Sequence, residues 1–374
     1  MTDGPTSVLV TGADGFIGKN LVVRLSEAPA QFVVHPVNRH TSAAELADAV
    51  GRCDVVVHLA GVNRPQTESE FESGNVGSTE TLVRLLEAAA PKPVLFSSST
   101  QAVADNAYGR SKLDAEQCLA GYSARTGATT ISYRLTNVFG KWCRPHYNSA
   151  VATFCHLVAR GEPLDIHDPA APLRLLYIDD LVDHLVTDVR AVHSGRPPRA
   201  EIGPVYETTV GALAEELRQF ASVPVTRDIP RTGTGLTRAL YATYLSHLEP
   251  ESFSFPLTRH VDARGAFSEM LRTADSGQFS FFTAGPGVTR GGHYHHTKNE
   301  KFLVVRGAAR YRFRHVVSGE TYELTTLAEE ARVVMTVPGW THDITNIGDE
   351  EMVVMLWANE AFDRSRPDTI ANPL

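Results

Sequence analysis

The feature that most constrains this chain is a spaced pattern of histidine, glutamate and glycine in its C-terminal third. In order, the pattern reads Gly287, His293, His295, Glu300 and Gly307, followed by Pro338, Gly339, His342 and Asn346. Side chains at positions i and i+2 of a strand point to the same face, so His293 and His295 lie side by side on an extended segment. Glu300 and His342 fall on neighbouring predicted strands. Glycine turns between short strands predict a small β-barrel for this segment.

The donor set of this pattern suits one divalent cation, because three imidazoles and a carboxylate supply nitrogen and oxygen ligands. We predict a metal site formed by His293, His295, Glu300 and His342. Zn²⁺ is the first choice, and Mn²⁺, Fe²⁺ and Ni²⁺ fit the same ligands. A site of this kind can hold and polarise an oxyanion. Two alternatives stay open: His296 competes as a ligand, or the segment is a histidine-rich turn that only hydrogen-bonds.

The first part of the chain follows a different pattern. Apolar strand patterns at 7–11, 32–37, 55–59, 94–97 and 130–134 alternate with helical patterns at 17–26, 43–50, 79–90 and 108–125. This alternation predicts a doubly wound α/β fold with a parallel sheet. Strands separated by turns dominate from residue 253 and predict an antiparallel sandwich or barrel. We place the domain boundary between residues 248 and 249, giving an α/β domain (1–248) and an all-β domain (249–374).

Composition narrows the class of function. The chain has 374 residues, 21% of them charged, and a net charge of −8. A nucleic-acid-binding protein is normally basic, so we expect no nucleic-acid partner. No apolar run approaches the ~18 residues that span a bilayer. The four cysteines form no CxxC pair and are interpreted as reduced thiols. We therefore expect a cytoplasmic protein without a membrane partner.

A glycine turn opens the α/β region. Gly12, Gly15 and Gly18 follow a predicted strand and enclose Phe16 and Ile17 at the start of a helix. Glycine lets the backbone approach a pyrophosphate, and the helix N-terminus offers free N–H groups to it. We predict a dinucleotide site here; the alternative is a tight structural turn.

The end of the second predicted strand carries Asn38 and Arg39 and no carboxylate. A ribose 2′-phosphate would pair with Arg39, so we predict NADPH as the cofactor. The alternative is a solvated surface arginine.

A Tyr-x-x-x-Lys sequence begins the helix predicted after the fourth strand. Tyr108 and Lys112 stand at i and i+4 and share a helix face. A nearby ammonium lowers the pKa of a phenol and readies it for proton transfer. Ser97, Ser98, Ser99 and Thr100 end the preceding strand and offer a hydroxyl to a reacting carbonyl; we take Ser99.

This set resembles the Ser/Tyr/Lys centre of the extended short-chain dehydrogenase/reductase family, as do the segments 58–61 and 134–140. The resemblance implies a Rossmann-type fold, with Tyr108 as the acid, Lys112 holding the cofactor ribose and Ser99 polarising a ketone. It also implies cofactor contacts by Leu59, Ala60 and Gly61, and substrate contacts by Asn137 and Arg174. Lys141, Arg144 and Arg160 are candidates to meet the diphosphate of the substrate, and each is equally well a solvated charge. Sugar dehydratases of the family carry an acidic pair after the Ser, where this chain has residues 100–103 without a carboxylate, which favours net carbonyl reduction.

The C-terminal motifs resemble those of the cupin family. The segment 262–269 resembles the opening strand of dTDP-deoxysugar 3,5-epimerases, which implies nucleotide-sugar contacts by Arg264, Phe267 and Glu269. The alternative for this segment is a salt-bridged surface strand.

Taken end to end, the chain resembles a family of bifunctional capsular-polysaccharide enzymes that join a reductase to a cupin. The most specific segments are 61–65, 139–143, 148–155 and 295–305. The resemblance implies C3 epimerisation of a UDP-2-acetamido-2,6-dideoxy-4-hexulose by the cupin. NADPH-dependent reduction of the C4 ketone would then give a UDP-6-deoxy-L-talosamine-type sugar, toward N-acetyl-L-fucosamine. It also implies a homodimer.

Several alternatives stay open. The epimerase base is one of Lys298, His296, Tyr294 and His315. The cupin is alternatively a dimerisation or sensing module beside a reductase for another nucleotide sugar, and the nucleotide is UDP or dTDP.

Overall fold

The computed structural model describes residues 4–65, 67, 69–199, 201–258, 260–262, 265–267, 270–273, 278–360 and 365–374. These residues form two compact units. The first contains residues 4–139 and 173–207, and the second contains 140–172 and 208–374. Residues 140–172 and 208–248, which sequence patterns assign to the α/β domain, group with the β-rich unit. The boundary between residues 248 and 249 stays a prediction.

The N-terminal part of the chain alternates strands and helices as predicted. Its elements are β1 (Thr6–Thr11), α1 (Phe16–Ser26), β2 (Phe32–Val37), α2 (Ala43–Arg52), β3 (Val55–His58), α3 (Ser69–Phe71), α4 (Ser78–Ala88), β4 (Val94–Ser99), α5 (Ala107–Thr126), β5 (Thr130–Leu135), β6 (Asn137–Phe139), α6 (Ala150–Ala159), β7 (Pro172–Tyr177), α7 (Ile178–His193) and β8 (Val205–Thr209).

Five strands form a sheet in the order β2-β1-β3-β4-β5, and each neighbouring pair is parallel. Its central strands are buried along their length, as in Val8–Val10 and Val55–Val57. Helices cover both faces of such a sheet, which is why these strands are apolar throughout instead of alternating. The predicted Rossmann-type α/β fold is confirmed.

Helix α5 carries Tyr108 and Lys112, and its start is fixed by a side-chain cap. Asn106 adopts an extended conformation, and its Oδ1 accepts a hydrogen bond of 2.7 Å from the Gly109 N–H. This bond satisfies one of the N–H groups that a helix N-terminus leaves without a partner. The helix ends at Thr126 and is capped by Gly127, whose φ of 74° is left-handed. The cap sets where Tyr108 enters the helix.

The remainder of the chain begins with helices and continues with strands. Its elements are α8 (Val210–Thr226), β9 (Asp228–Ile229), α9 (Gly235–Leu245), β10 (Ser254–Pro256), β11 (His260–Asp262), β12 (Gly265–Phe267), β13 (Arg272–Thr273), β14 (Gln278–Ala284), β15 (Thr289–Tyr294), β16 (Glu300–Arg306), β17 (Ala308–His315), β18 (Thr321–Leu327), β19 (Arg332–Met335), β20 (Trp340–Asn346), β21 (Met352–Ala358) and β22 (Ile370–Ala371).

Two five-stranded sheets organise this β-rich part, in the orders β10-β19-β16-β21-β14 and β18-β17-β20-β15-β22. Their pairs are antiparallel, for example β16 with β21 and β17 with β20. On β17 the burial alternates, so Ala309, Tyr311 and Phe313 are buried between less buried neighbours. This alternation is typical of a sheet with one face in a core. The predicted cupin-type all-β fold is confirmed.

Among the described helices, none is both long and apolar enough to cross a bilayer. All four cysteines are free thiols, and Cys53, Cys143 and Cys155 are buried.

A buried histidine lies in the parallel sheet of the first unit. His58 is 1% exposed, stacks on Phe96 and lies between two hydroxyls: Thr11 Oγ1 is 2.6 Å from Nδ1 and Thr79 Oγ1 is 3.0 Å from Nε2. The Thr79 hydroxyl donates to the Asn75 carbonyl, so it accepts from the His58 Nε2–H. Nδ1 then accepts from Thr11, and the ring is neutral. Burial, with the charge of Lys112, lowers the pKa of His58 to about 3.

We predict that Gly18→Ala destabilises the first unit. A Cβ on Gly18 would overlap the Gly12 carbonyl oxygen and lie 2.8 Å from the Ala13 Cα, both of which are backbone atoms. Overpacking of this kind costs about 1–3 kcal/mol. Gly51→Ala is the matched control, because its Cβ meets nothing within 4 Å. Chemical denaturation measures both, and equal stabilities for the two variants would contradict the close approach.

We predict that His58 makes stability depend on pH. Its pKa is about 3 in the fold against a usual 6.5, so the unfolded chain binds the extra proton between these values. Stability is therefore lost as the pH falls from 6.5 toward 3, by up to ~1.4 kcal/mol per pH unit. Denaturation from pH 7 to 4 should give a shallower slope for His58→Gln than for the exposed control His40→Gln. Identical slopes would contradict a buried neutral ring.

Candidate active site and candidate metal centre

The glycine turn lies between β1 and α1. Gly12 has φ of 67°, and a Cβ there would lie 2.8 Å from the Ala60 nitrogen. The Gly15 N–H donates to the Gly12 carbonyl over 2.9 Å, and α1 begins at Phe16. Gly15 caps the helix without a side-chain hydrogen bond. The first N–H groups of α1, on Phe16, Ile17 and Gly18, lie at the helix N-terminus, where the predicted pyrophosphate would accept hydrogen bonds from them.

The loop after β3 lies against this turn. Thr11 Oγ1 accepts hydrogen bonds from the Leu59 and Ala60 N–H groups, both at 3.2 Å. At Gly61, a Cβ would lie 2.7 Å from Asn75 Oδ1 and 3.1 Å from Lys112 Nζ. The structure thus brings Gly12, Ala60, Gly61 and Lys112 together, as a site for the predicted dinucleotide requires.

Asn38 and Arg39 follow β2, beside a cleft of ≈ 370 Å³ whose lining includes Asn38, His40 and Thr41. Asn38 Oδ1 accepts from the His40 N–H at 2.9 Å and so organises the turn. Arg39 is exposed. The preference for NADPH that Arg39 suggests stays a prediction.

The three predicted reductase residues lie together at the end of β4 and the start of α5. The Tyr108 side chain hydrogen-bonds with that of Ser99. Lys112 is 6% exposed, and its Nζ donates to the Ser97 carbonyl over 3.0 Å. The neighbouring hydroxyls point elsewhere: Ser97 Oγ donates to the His58 carbonyl and Ser98 Oγ donates to Glu116. Of the serines that the sequence offers, the geometry favours Ser99.

Burial shifts both titrating groups of this centre. It lowers the pKa of the Lys112 ammonium to about 8, although Glu116 opposes the shift. It raises the pKa of the Tyr108 phenol, and the hydrogen bond with Ser99 offsets only part of the rise. The i,i+4 spacing alone suggests a lowered phenol pKa, but the groups that shift the pKa of Tyr108 are its own burial, which raises it, and Ser99, which lowers it less. A raised pKa keeps Tyr108 protonated, which is the form that donates a proton.

Glu116 is a residue of this centre that sequence reasoning missed. Its carboxylate accepts the Ser98 hydroxyl and pairs with Arg134, whose Nη2 lies 2.7 Å away. Position 116 lies one helical turn beyond Lys112. The i,i+4 spacing of the two residues could have indicated that the Glu116 carboxylate lies near the Lys112 ammonium.

Two predicted substrate residues meet at the small sheet that contains β6 and β7. Asn137 Nδ2 donates to the Arg174 carbonyl over 3.2 Å, and both side chains reach solvent. Arg174 Nε also lies 3.6 Å from Glu207.

Lys141, a third predicted substrate residue, belongs to the second unit. It is 1% exposed, and its Nζ lies 5.3 Å from the Trp142 ring centroid, so it is not a solvated charge. Arg264 and Glu269 lie outside the described residues, and Phe267 ends β12.

The four predicted metal ligands converge in the second unit. His293 lies on β15, Glu300 starts β16 and His342 lies on β20, with His295 just beyond β15. One ligand atom from each of the four lies within 4.8 Å of the others. His295 Nε2 and His342 Nε2 are 3.3 Å and 3.6 Å from Glu300 Oε2. The strands therefore gather an imidazole and carboxylate donor set around one point.

The protonation states of these residues suit a metal. His342 Nδ1 faces the Trp340 carbonyl at 3.3 Å, so it carries the hydrogen and leaves the Nε2 lone pair free. Among the described residues, that buried Nε2 has no hydrogen-bond partner. Burial and the neighbouring imidazoles lower the pKa of His293 to about 3, which keeps its ring neutral. Burial opposes ionisation of Glu300, but His295 and His342 hold its pKa well below the usual range. The donor set fits a divalent cation.

A cavity of ≈ 190 Å³ opens beside these ligands. Aromatic rings form much of its wall, namely those of Phe282, Phe302, Tyr311 and Phe313, and the polar groups of Arg290, Thr336 and Asp343 also line it. Such a pocket, with polar groups among apolar rings, is typical of a small-molecule site.

None of the four candidates for the epimerase base is among the described residues that line the cavity, so the identity of the base stays a prediction. Lys298 Nζ lies 3.4 Å from Glu300 Oε1, while the Tyr294 ring packs on His296. His315 Nδ1 accepts from the Val317 and Ser318 N–H groups. Tyr311 lines the cavity instead. Sequence reasoning missed Tyr311, although the alternation along β17 could have indicated that it points inward.

Comparison with known proteins identifies a family match in the N-terminal part of the chain and another in the C-terminal part. Residues 8–203 match the NAD dependent epimerase/dehydratase family, and residues 260–370 match the polysaccharide biosynthesis C-terminal domain. The chain is 50% identical over 368 residues to UDP-2-acetamido-2,6-beta-L-arabino-hexul-4-ose reductase of Pseudomonas aeruginosa, covering 97% of this chain and 98% of that protein.

Solved structures of related enzymes are similar to this chain. The capsular polysaccharide assembling protein CapF from Staphylococcus aureus matches with a TM-score of 0.66 and 39% identity, covering 99% of this chain and 100% of that one. UDP-glucuronic acid 4-epimerase from Bacillus cereus, crystallised with NAD, matches 64% of this chain and 97% of that one, with a TM-score of 0.53. At 17% identity, that likeness shows the fold alone. The chain therefore belongs to the NAD dependent epimerase/dehydratase family and, within it, to the CapF-like enzymes with a polysaccharide biosynthesis C-terminal domain.

Proposed function

We propose that this enzyme acts on a UDP-2-acetamido-2,6-dideoxy-4-hexulose in two steps, C3 epimerisation and then NADPH-dependent reduction of the C4 ketone. The observation that carries the proposal is the presence of two chemically distinct centres in one chain. One is the Ser99, Tyr108 and Lys112 group, and the other is the buried set of three imidazoles and Glu300. The relative from Pseudomonas aeruginosa, named as a 4-hexulose reductase, supports the substrate class.

The reduction step follows from the state of Tyr108. A bound NADPH supplies hydride to the ketone carbon. Tyr108, kept protonated by its raised pKa, gives its phenolic proton to the ketone oxygen. Ser99, which hydrogen-bonds with Tyr108, polarises the same oxygen. Lys112 lies beside Gly61 and holds the cofactor ribose in this proposal.

The epimerisation step follows from the donor set of the second unit. His293, His295, Glu300 and His342 would hold the metal, with Zn²⁺ as the first choice. Epimerisation transfers the C3 proton to a base on one face of the sugar and returns a proton exchanged with solvent to the opposite face. A bound divalent cation would stabilise the negative charge on the ketone oxygen between these two transfers. The pocket residues beside these ligands, including Arg290 and Tyr311, orient the sugar and exclude water.

The order of the two steps is dictated by chemistry. The C3 proton is acidic only while C4 is a ketone, so reduction ends the opportunity to epimerise. The product in this proposal is a UDP-6-deoxy-L-talosamine-type sugar. A dehydratase is disfavoured because residues 100–103 contain no carboxylate to serve as its acid or base.

We predict that Tyr108→Phe separates the two steps. Loss of the phenolic proton should slow NADPH oxidation by about 10²–10⁴-fold, the usual contribution of a positioned acid. Solvent deuterium should still enter C3 of the 4-keto sugar. Tyr322→Phe, which removes a hydroxyl from a ring packed against Phe313, is the matched control and should retain both activities. Undiminished NADPH oxidation by Tyr108→Phe would rule out its role as the acid.

The metal ligands should show the reverse behaviour. His342→Ala removes the Nε2 that lies 3.6 Å from Glu300 Oε2, and we expect it to abolish bound zinc and deuterium entry at C3. Reduction of a substrate supplied with the epimerised configuration should persist. His167→Ala, at a side chain that is 92% exposed, is the control. If C3 exchange continues in metal-free His342→Ala, the metal has no part in epimerisation. If metal-loaded wild-type protein shows no exchange, the second unit is not an epimerase.

A further inference from the structure

The C-terminal residues 365–374, here called the C-terminal strap, run beside the strand that carries His293. Within the strap, β22 pairs with β15 so that His293 lies opposite Ala371 and Tyr294 lies opposite Ile370. The Asn372 N–H donates to the Gly292 carbonyl over 2.8 Å. The strap is therefore an added edge strand of the sheet that holds two of the histidines.

Asp368 of the strap organises the loop between β15 and β16. Its carboxylate accepts hydrogen bonds from the N–H groups of His296, Thr297 and Lys298, at 2.9, 2.8 and 2.7 Å. The Thr297 hydroxyl adds a fourth bond at 3.0 Å. This loop has His295 at one end and Glu300 at the other. One carboxylate thus fixes the short segment that separates two of the metal ligands.

The strap also orients the His295 ring. His295 Nδ1 lies 2.5 Å from the Asp368 carbonyl oxygen. A carbonyl only accepts, so Nδ1 carries the hydrogen and the lone pair is on Nε2. That Nε2 faces Glu300 Oε2 at 3.3 Å, toward the other donors. Partners of this kind fix the tautomer and the direction of a metal-binding histidine.

The far end of the strap is anchored separately. Arg314 Nη2 on β17 donates to Asn372 Oδ1 at 2.9 Å and to the Pro373 carbonyl at 2.8 Å. The strap is thus held on both sides of β22, by Asp368 before it and by Arg314 after it. Its position does not depend on the metal ligands alone.

We propose that the C-terminal strap is the positioning element of the metal site, and that Asp368 is its principal positioning residue. Asp368 acts through the loop of residues 296–298 and through the His295 ring, without donating to the metal itself. This inference rests on the proposed metal site, and it adds a segment distant in sequence to that site. Removal of such supporting partners typically lowers metal affinity by about 10–100-fold.

The test measures zinc affinity by competition with a chromophoric chelator, together with the Co²⁺ absorption spectrum, on the full chain. Asp368→Ala should weaken zinc binding by about 10–100-fold and broaden or shift the Co²⁺ bands. Asp368→Asn should weaken it less, because the amide oxygen still accepts. The matched control is Asp349→Ala, at an exposed position between β20 and β21, which should bind zinc as the wild type does.

Each outcome decides something different. Zinc affinity of Asp368→Ala within twofold of the wild type, with an unchanged Co²⁺ spectrum, would overturn the strap proposal and leave the metal site intact. If wild-type protein binds no divalent cation, the proposed metal site fails and the strap proposal with it. If Asp368→Ala does not fold, Asp368→Asn decides: weakened affinity in a folded variant supports the proposal, and wild-type affinity overturns it.

Discussion

The interaction on which the second unit depends is the meeting of one buried carboxylate with three imidazoles. Glu300 is 6% exposed, and a charge so far from water requires partners of opposite charge or a metal. Lys298 Nζ lies 3.4 Å from Glu300 Oε1, and the three neutral imidazoles beside it complete a donor set that a divalent cation would neutralise. These donors come from both sheets, since β15 and β20 belong to one sheet and β16 to the other. Because the donors come from different strands, the site exists only when both sheets have formed. Folding and the metal chemistry that we propose are therefore linked.

The first unit also contains a buried charged side chain, and polar groups around it compensate for the loss of water. Lys112 is buried beside Gly61 and is compensated by the Ser97 carbonyl and by Glu116. The glycines are needed there because the ammonium, the Asn75 amide and the loop after β3 leave no room for a side chain. Burial holds the Tyr108 phenol protonated, and the capped start of α5 fixes where that proton is offered. The fold thus fixes the position and the protonation state of the Tyr108 phenol before any ligand binds.

Local patterns in the sequence predicted much of this structure. The glycine turn and the pair His293 and His295 could be predicted because strand and helix periodicity places their residues, whereas the meeting of these histidines with Glu300 and His342 rested on the motif spacing. Glu116, Tyr311 and Asp368 were not found, because their roles come from tertiary contacts. Asp368 is the clearest case, since it lies about seventy residues beyond the loop that it organises. The sequence prediction for the pKa of Tyr108 was wrong: the spacing to Lys112 suggested a lowered pKa, but burial of the phenol raises it.

The central claim is that two centres act in sequence on one ketone, the first on the carbon beside it and the second on the ketone itself. The most direct measurement is the NMR spectrum of the product made by zinc-loaded enzyme in D₂O with unlabelled NADPH. The account predicts deuterium at C3, taken from solvent, and protium at C4, taken from the cofactor. A reduced product that carries protium at C3 would contradict it, because the C3 hydrogen would then never have left.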